Sequence, residues 1–154
     1  KPRAGNRTPM QWSPGKNLGF SNAPADKLYL PVDDAPDAPT VAKQEDDPNS
    51  LLNHLRELIQ LKKNELALKA YGNFIPVYAK ENTYPFVYVR TAEDEVILCI
   101  FNPADRVETA EFDLDIKARK LKKLYGDDIS IKHKNGHFTI EADNISYGIY
   151  KIIQ

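Results

Sequence analysis

Cysteine, methionine and tryptophan each occur once in this chain. The single thiol, Cys99, excludes an internal disulfide and any multi-cysteine zinc site. It lies inside the apolar run 96–101, where a small buried hydrophobe is expected. An excess of charge of one sign is also lacking. With 21 basic and 22 acidic side chains the net charge is −1, so nothing attracts nucleic acid or an anionic membrane surface. No apolar stretch approaches the ~20 residues of a membrane span, and the first residues hold no signal-peptide core. The chain opens on Lys1 rather than Met, which reads as a cut start, and the compartment stays open with the cytoplasm favoured. What is present is enough for a folded core: 42% apolar and 28% charged residues over 154 positions, one ordinary domain or a small domain with an appendage.

Proline is plentiful, and it is concentrated early. It recurs at 2, 9, 14, 24, 31, 36 and 39, so residues 1 to about 46 are expected to form an extended, loop-rich arm. Its one compact apolar island is Leu28-Tyr29-Leu30-Pro31-Val32. So long an irregular segment in a compact domain points to an absent packing partner or a functional loop. A helix is predicted next, over roughly 47–64, with Asp47 as N-cap and Pro48 at the first helical position. Leu51, Leu52, Leu55, Leu58 and Ile59 recur at helical spacing, and this wide stripe needs a surface to lie on. Gly72 then marks a turn.

From residue 73 the period becomes two. Strands are predicted at 74–79, 85–91, 95–102, 107–116, 120–125, 129–134, 137–142 and 147–153, with Asn135-Gly136 as a type I′ hairpin turn. Many short strands without intervening helices imply an antiparallel β-sandwich or barrel. The fold is therefore expected to be mainly β.

The most specific stretch lies in the arm. Arg7-Thr8-Pro9-Met10-Gln11-Trp12, followed by Asn17-Leu18-Gly19-Phe20, resembles the late loop of glycoside hydrolase family 13, the α-amylase family. Its α-glucosidases, oligo-1,6-glucosidases and trehalose synthases are nearest. Ser13 and Leu18 depart from the common pattern, where relatives often carry Asp and Ala. The resemblance implies that residues 1–72 are the last loop and final helix of a (β/α)8 catalytic barrel, and 73–154 its C-terminal antiparallel β-sandwich. It also implies that the nucleophile Asp, the acid/base Glu and a third Asp come from earlier barrel strands, leaving no catalytic residue here and a piece inactive alone. Arg7 is then the residue that reaches the sugar pocket and pairs with a barrel carboxylate, closing the pocket behind a terminal glucose. Met10, Gln11 and Trp12 are implied as supports of that loop. No cofactor or metal is implied. The implied partners are the missing barrel and, through it, an α-glucoside or maltooligosaccharide.

Other chemistry reads weakly. Asp33, Asp34 and Asp37 could supply the two carboxyl groups a retaining glycosidase needs, but they sit in a proline-rich loop and read as a solvated face. In the predicted hairpin Lys134 opposes His137 and His133 opposes Phe138, so the two histidines point to opposite faces and cannot share a metal. His54 is expected on the long helix, packed or facing solvent. The tyrosines of the strands could stack sugars, or simply fill half-buried faces. Two functions follow: the C-terminal part of an enzyme acting on α-linked glucosides, or an independent β-sandwich carbohydrate-binding module with an N-terminal linker. The apolar groups Met10, Trp12, Phe20 and Tyr29 favour the first, because a linker is polar and extendable.

Overall fold

A computed structural model describes residues 7–33 and 35–154. They divide into two compact units, one up to Glu57 and one over Leu58–Gln154.

The first unit holds more regular structure than its proline content suggests. Turns at Lys16–Gly19 and Ala25–Lys27 precede a short helix, α1 (Val41–Asp46). The expectation of an irregular arm to residue 46 is corrected here. α1 is stabilised from a distance: the Gln11 and Trp12 carbonyls accept from the Val41 and Ala42 N–H groups, both at 2.9 Å. The Thr40 hydroxyl accepts from Lys43 N–H at 3.3 Å, so the Val41, Ala42 and Lys43 donors that a helix normally leaves open are met.

The predicted long helix also starts later. Asp47 does not cap it. Its carboxylate accepts from Asn49 N–H at 2.9 Å and its carbonyl from Ser50 N–H at 3.0 Å, which closes a turn over 47–50. Ser50 becomes the cap, its hydroxyl oxygen accepting from Asn53 N–H, and α2 runs Leu51–Asn64. Gln44 ties the two helices together, its side-chain oxygen accepting from Leu52 N–H at 3.0 Å and its carbonyl from the Ser50 hydroxyl and the Asn53 amide. Arg56 grips Glu45 with both nitrogens at 2.6 and 2.7 Å. This hydrogen-bonded pairing holds the Glu45 carboxyl below the usual carboxylate range.

The second unit is the expected antiparallel β-sandwich. β1 (Asn73–Tyr78), β2 (Phe86–Ala92), β3 (Glu95–Asn102), β8 (Ser146–Ile153) and β5 (Lys120–Gly126) form one sheet in the order β1-β2-β3-β8-β5. β4 (Glu108–Asp113), β7 (His137–Ala142) and β6 (Ser130–Lys134) form the other, in the order β4-β7-β6. β4 ends at Asp113 rather than 116, because the Leu114 N–H leaves the ladder for the Gly136 carbonyl at the hairpin tip, 2.8 Å away. That tip is as predicted: Asn135 and Gly136 have φ of 51° and 83°, and Lys134 and His133 oppose His137 and Phe138.

The core between the sheets is built from Val87, Val89, Leu98, Ile100, Phe138 and Ile140. Full burial of each side chain contributes about 1.5–3 kcal/mol. β3 reads as one apolar run because both of its faces are covered. Val96, Leu98 and Ile100 enter that core, while Ile97 and Cys99 face a second cluster made with Leu58, Leu61, Ala67 and Leu68. Two polar anchors fix this second cluster. Lys151 donates to Glu65 at 2.8 Å and to Glu95 at 2.9 Å, and the other Glu95 oxygen accepts from Ala67 N–H. Burial alone would raise the Glu95 carboxyl, but the bonds from Lys151 and Ala67 outweigh it and hold the pKa low. Arg90 donates to the Lys69 and Gly72 carbonyls, and a Cβ at Gly72 would stand 2.2 Å from the Ala67 oxygen. The exposed edges carry Pro76 on β1 and Lys120, Lys122 and Lys123 on β5, residues that discourage edge-to-edge pairing.

Candidate functional site

The loop that carries the most specific sequence is shaped by its own backbone. Trp12 and Ser13 N–H groups donate to the Leu18 carbonyl at 2.9 and 3.2 Å, closing a tight reversal over 12–18. Asn17 and Leu18 take left-handed φ of 49° and 51°. For Leu such a φ is costly, and the arrangement is held by Asn17, which is 8% exposed. Its amide donates to the Ser21 carbonyl at 2.8 Å and the Ala23 carbonyl at 2.9 Å. Gly19, at φ 72°, has no room for a side chain: a Cβ would meet the Ser13 hydroxyl at 2.5 Å. The whole 12–23 loop is therefore one hydrogen-bonded unit, with Gln11 and Trp12 plugged into the start of α1.

Each residue singled out in the sequence can be placed on this frame. Arg7 is exposed, and among the described residues no carboxylate pairs with it. Met10 and Trp12 are each 51% exposed, so their backbones serve the loop while half of each side chain is uncovered. Gln11 donates nothing from its buried Nε2, although its carbonyl is used. A buried polar atom without a partner calls for one. Thr8, Pro9, Met10 and Gln11 line a shallow depression of about 290 Å³ with Pro39, Val41 and Gln44. Phe20 and Tyr29, at 48% and 79%, and Leu51 and Leu55 on α2, at 79% and 53%, are uncovered too. No residue of α2 is buried, despite its leucine stripe.

The rival acids are not assembled. Asp33 closes its own turn, accepting from Ala35 N–H at 3.1 Å, and Asp37 is exposed; Asp34 lies outside the described residues. The histidines are apart as expected. His133 lies against the Phe138 ring at 5.6 Å between centroids, and His137 Nδ1 meets Asp113 at 2.8 Å on the other face. His54 is half exposed beside Glu57. Among the described residues no group of three or more His, Cys, Asp or Glu side chains could hold a metal ion. Cys99 is 1% exposed, and burial pushes its thiol up to about 11, which rules out a thiolate nucleophile near neutral pH. Among the described residues no helix is long and apolar enough to cross a membrane.

Sequence reading missed Asn17, Thr40, Gln44 and Ser50, the residues that give the loop and its helices their shape. Only Asn17 carried a signal, as the first position of the Asn17-Leu18-Gly19-Phe20 string. The others act through partners three to nine residues away.

Residues 1–71 match the family described as the catalytic domain of α-amylase. Over 119 residues, 73% of this chain, the sequence is 34% identical to the trehalose synthase/amylase TreS of Mycobacterium tuberculosis, of which it covers 20%. A probable α-glucosidase of Rhizobium meliloti is 33% identical over 126 residues, 82% of this chain and 21% of that protein. Among solved structures, an isomaltulose synthase variant from Erwinia rhapontici NX5 with D-glucose superposes at a TM-score of 0.76 and 26% identity. That match takes in 99% of this chain and 26% of the other. The chain spans about a fifth of the length of the curated relatives it matches.

Proposed function

The chain belongs to the α-amylase family, glycoside hydrolase family 13, and from that premise we propose that it is the C-terminal part of a retaining enzyme acting on α-linked glucosides. The observation that carries this reading is the state of the segment matched to the catalytic domain. Met10, Trp12, Leu51 and Leu55 stand half or more exposed there, and Gln11 Nε2 is buried without a partner. An apolar surface this broad on one short segment marks a contact with something larger. The remainder of a (β/α)8 barrel fits, because that is the domain to which these residues match.

On this reading the nucleophile and the acid/base lie on the barrel, and the 154 residues alone are inactive. Arg7 enters the pocket and grips a barrel carboxylate with its planar fork, behind the terminal glucose. Gln11 and Trp12, locked onto α1, hold the loop that presents it, and the β-sandwich covers apolar surface of the barrel. The substrate class follows from the relatives, which are named for trehalose, α-glucosides and isomaltulose, one of them crystallised with sucrose.

The test is an assay of the full-length protein against maltose, isomaltose, trehalose and sucrose, beside the 154-residue chain. Glucose release or transfer with retained α configuration is expected from the full-length protein, and no turnover from the chain alone. Turnover by the chain alone, or a full-length protein inert to all four sugars, would overturn the reading.

A further inference from the structure

The three-stranded sheet ends on β6, and among the described residues no strand pairs with its far side. The two-residue turn makes Lys134 and His137 a hydrogen-bonded pair. By alternation, the N–H and C=O groups of Ile131 and His133 then point to that free side. Lys132 and Lys134 lie on the outer face of the sheet, about 6.7 Å apart. Ile131 and His133 face the core, opposite Ile140 and Phe138. β1 lies against β4 at one border of the sandwich, so β5 and β6 share the other. Tyr150 fixes the turn that joins them, its hydroxyl accepting from Ile129 N–H and donating to the Asp127 carbonyl, both at 2.7 Å. This border is basic. Seven of the chain's 21 basic side chains fall between residues 117 and 134, against two acidic ones. Lys123 pairs with Asp128, and Arg119 Nε donates to the Gln154 carbonyl, each at 2.6 Å. Lys117, Lys120, Lys122, Lys132 and Lys134 are exposed, and among the described residues none of them meets a carboxylate.

We infer that the β6 edge takes an extended acidic segment of another protein as a fourth strand. The sheet shows the chemistry on its other side. There β4 adds to β7 a strand with Glu111 and Asp113 outward and Ala110 and Phe112 buried, and Asp113 pairs with His137 at 2.8 Å. Across β7 from it, Lys132 and Lys134 hold the matching outward positions with positive charge and no ion pair. An incoming strand would bond to the Ile131 and His133 backbone and cover their side chains with apolar residues. Its alternate residues, Asp or Glu, would stand opposite Lys132 and Lys134 in close cross-strand pairs. Lys117, Lys120 and Lys122 add positive charge along the same border. Edge lysines commonly serve to repel other strands, and an acidic strand is the one kind they admit. Nucleic acid fits less well. Between residues 117 and 134 no aromatic side chain is exposed for base stacking, and the net charge of −1 gives no long-range attraction. A second copy fits less well too. Its acidic strand, β4, has Glu108 and Asp113 engaged with Arg106 and His137, and its far side lies against β1.

Fluorescence anisotropy with a labelled ten-residue peptide of alternating glutamate and valine tests this on the 154-residue chain. Saturable binding is expected, and Lys132→Glu with Lys134→Glu should weaken it at least tenfold. Lys62→Glu with Lys63→Glu on α2, an equal change of charge, should weaken it less than twofold. A peptide with proline for its two central valines should also lose at least tenfold, because proline has no N–H to give the edge. Hydrogen exchange on the unaltered chain gives a second reading: the Ile131 and His133 amides should slow at least tenfold with peptide bound. No binding, unchanged exchange at both amides, or equal binding of the proline peptide would overturn the inference. So would an oligouridylate that binds more tightly than the peptide, which would make the border a nucleic-acid site. Self-association of the chain that is lost in the Lys132→Glu, Lys134→Glu protein would also overturn it, by making the occupant a second copy.

Discussion

Replacing Arg7 by alanine in the full-length protein is expected to lower kcat/KM for removal of a terminal α-linked glucose by about 30- to 1,000-fold, while the thermal stability of the 154-residue chain changes little. The magnitude is that of one partly desolvated, bidentate guanidinium–carboxylate pair, about 2–4 kcal/mol. Stability should hold because Arg7 is exposed and pairs with no described carboxylate of this chain. Arg7→Lys should recover only part of the loss, since an ammonium keeps the charge without the planar fork. The effect should be specific to exo attack: an internal bond of a long maltooligosaccharide places sugar where the pair would close the pocket, so its cleavage should suffer less or improve. Steady-state kinetics on maltose and on a blocked maltooligosaccharide separate the two. An Arg7→Ala protein with unchanged kcat/KM on both would remove Arg7 from the pocket.

The second large effect concerns the β-sandwich. Asn102 is 1% exposed at the end of β3. Its amide donates to the carbonyls of Arg106, Ala142 and Asp143 at 2.9, 3.2 and 2.7 Å, and its oxygen accepts from Ala104 N–H at 3.1 Å. One side chain thus joins the β3–β4 connection to the end of β7, holding the two sheets together at that rim. Asn102→Ala leaves several buried carbonyls with fewer donors, and should cost about 2–4 kcal/mol. In a unit of this size that is a fall in Tm of roughly 10–20 °C. Asn102→Asp should be worse despite its shape, because a carboxylate cannot donate and would face three carbonyl oxygens. Thermal unfolding followed by circular dichroism of the 154-residue chain reads both. If Asn102→Asp were as stable as the parent, the network would carry no energy.

These two residues also show what sequence can and cannot disclose. All eight strands were legible, because a strand with one face in the core writes its period directly. Ala110 and Phe112 are buried, with Glu111 exposed between them. β3 was legible for the opposite reason, its continuous apolar run reporting burial on both faces. The helix start was misread because Asp47-Pro48 has the chemistry of a cap and first turn. The same carboxylate serves a tight turn equally well, and only the chain's path decides. α1 was missed because Val41 is its one large apolar residue and its first donors are met by carbonyls thirty residues upstream. Asn102 read as the end of a strand before proline, and nothing local shows that it reaches residues forty positions away. The lysines of 117–134 are plain as a run but not as the border of a sandwich, because the order of the strands in space is not their order in the chain.

At the candidate site the division is similar. The string Arg7-Thr8-Pro9-Met10-Gln11-Trp12 pointed to the family, which the comparisons bear out. It could not show that Gln11 and Trp12 act through their carbonyls on α1, nor that Asn17 holds the loop.

The most direct test of the account is to sequence the reading frame upstream of Lys1. The account predicts several hundred codons of an α-amylase-type (β/α)8 barrel, with a strand-end Asp, a Glu and a second Asp in the order its chemistry needs. A stop codon just before Lys1, or an unrelated upstream domain, would contradict it, leaving a β-sandwich whose apolar arm has nothing to cover.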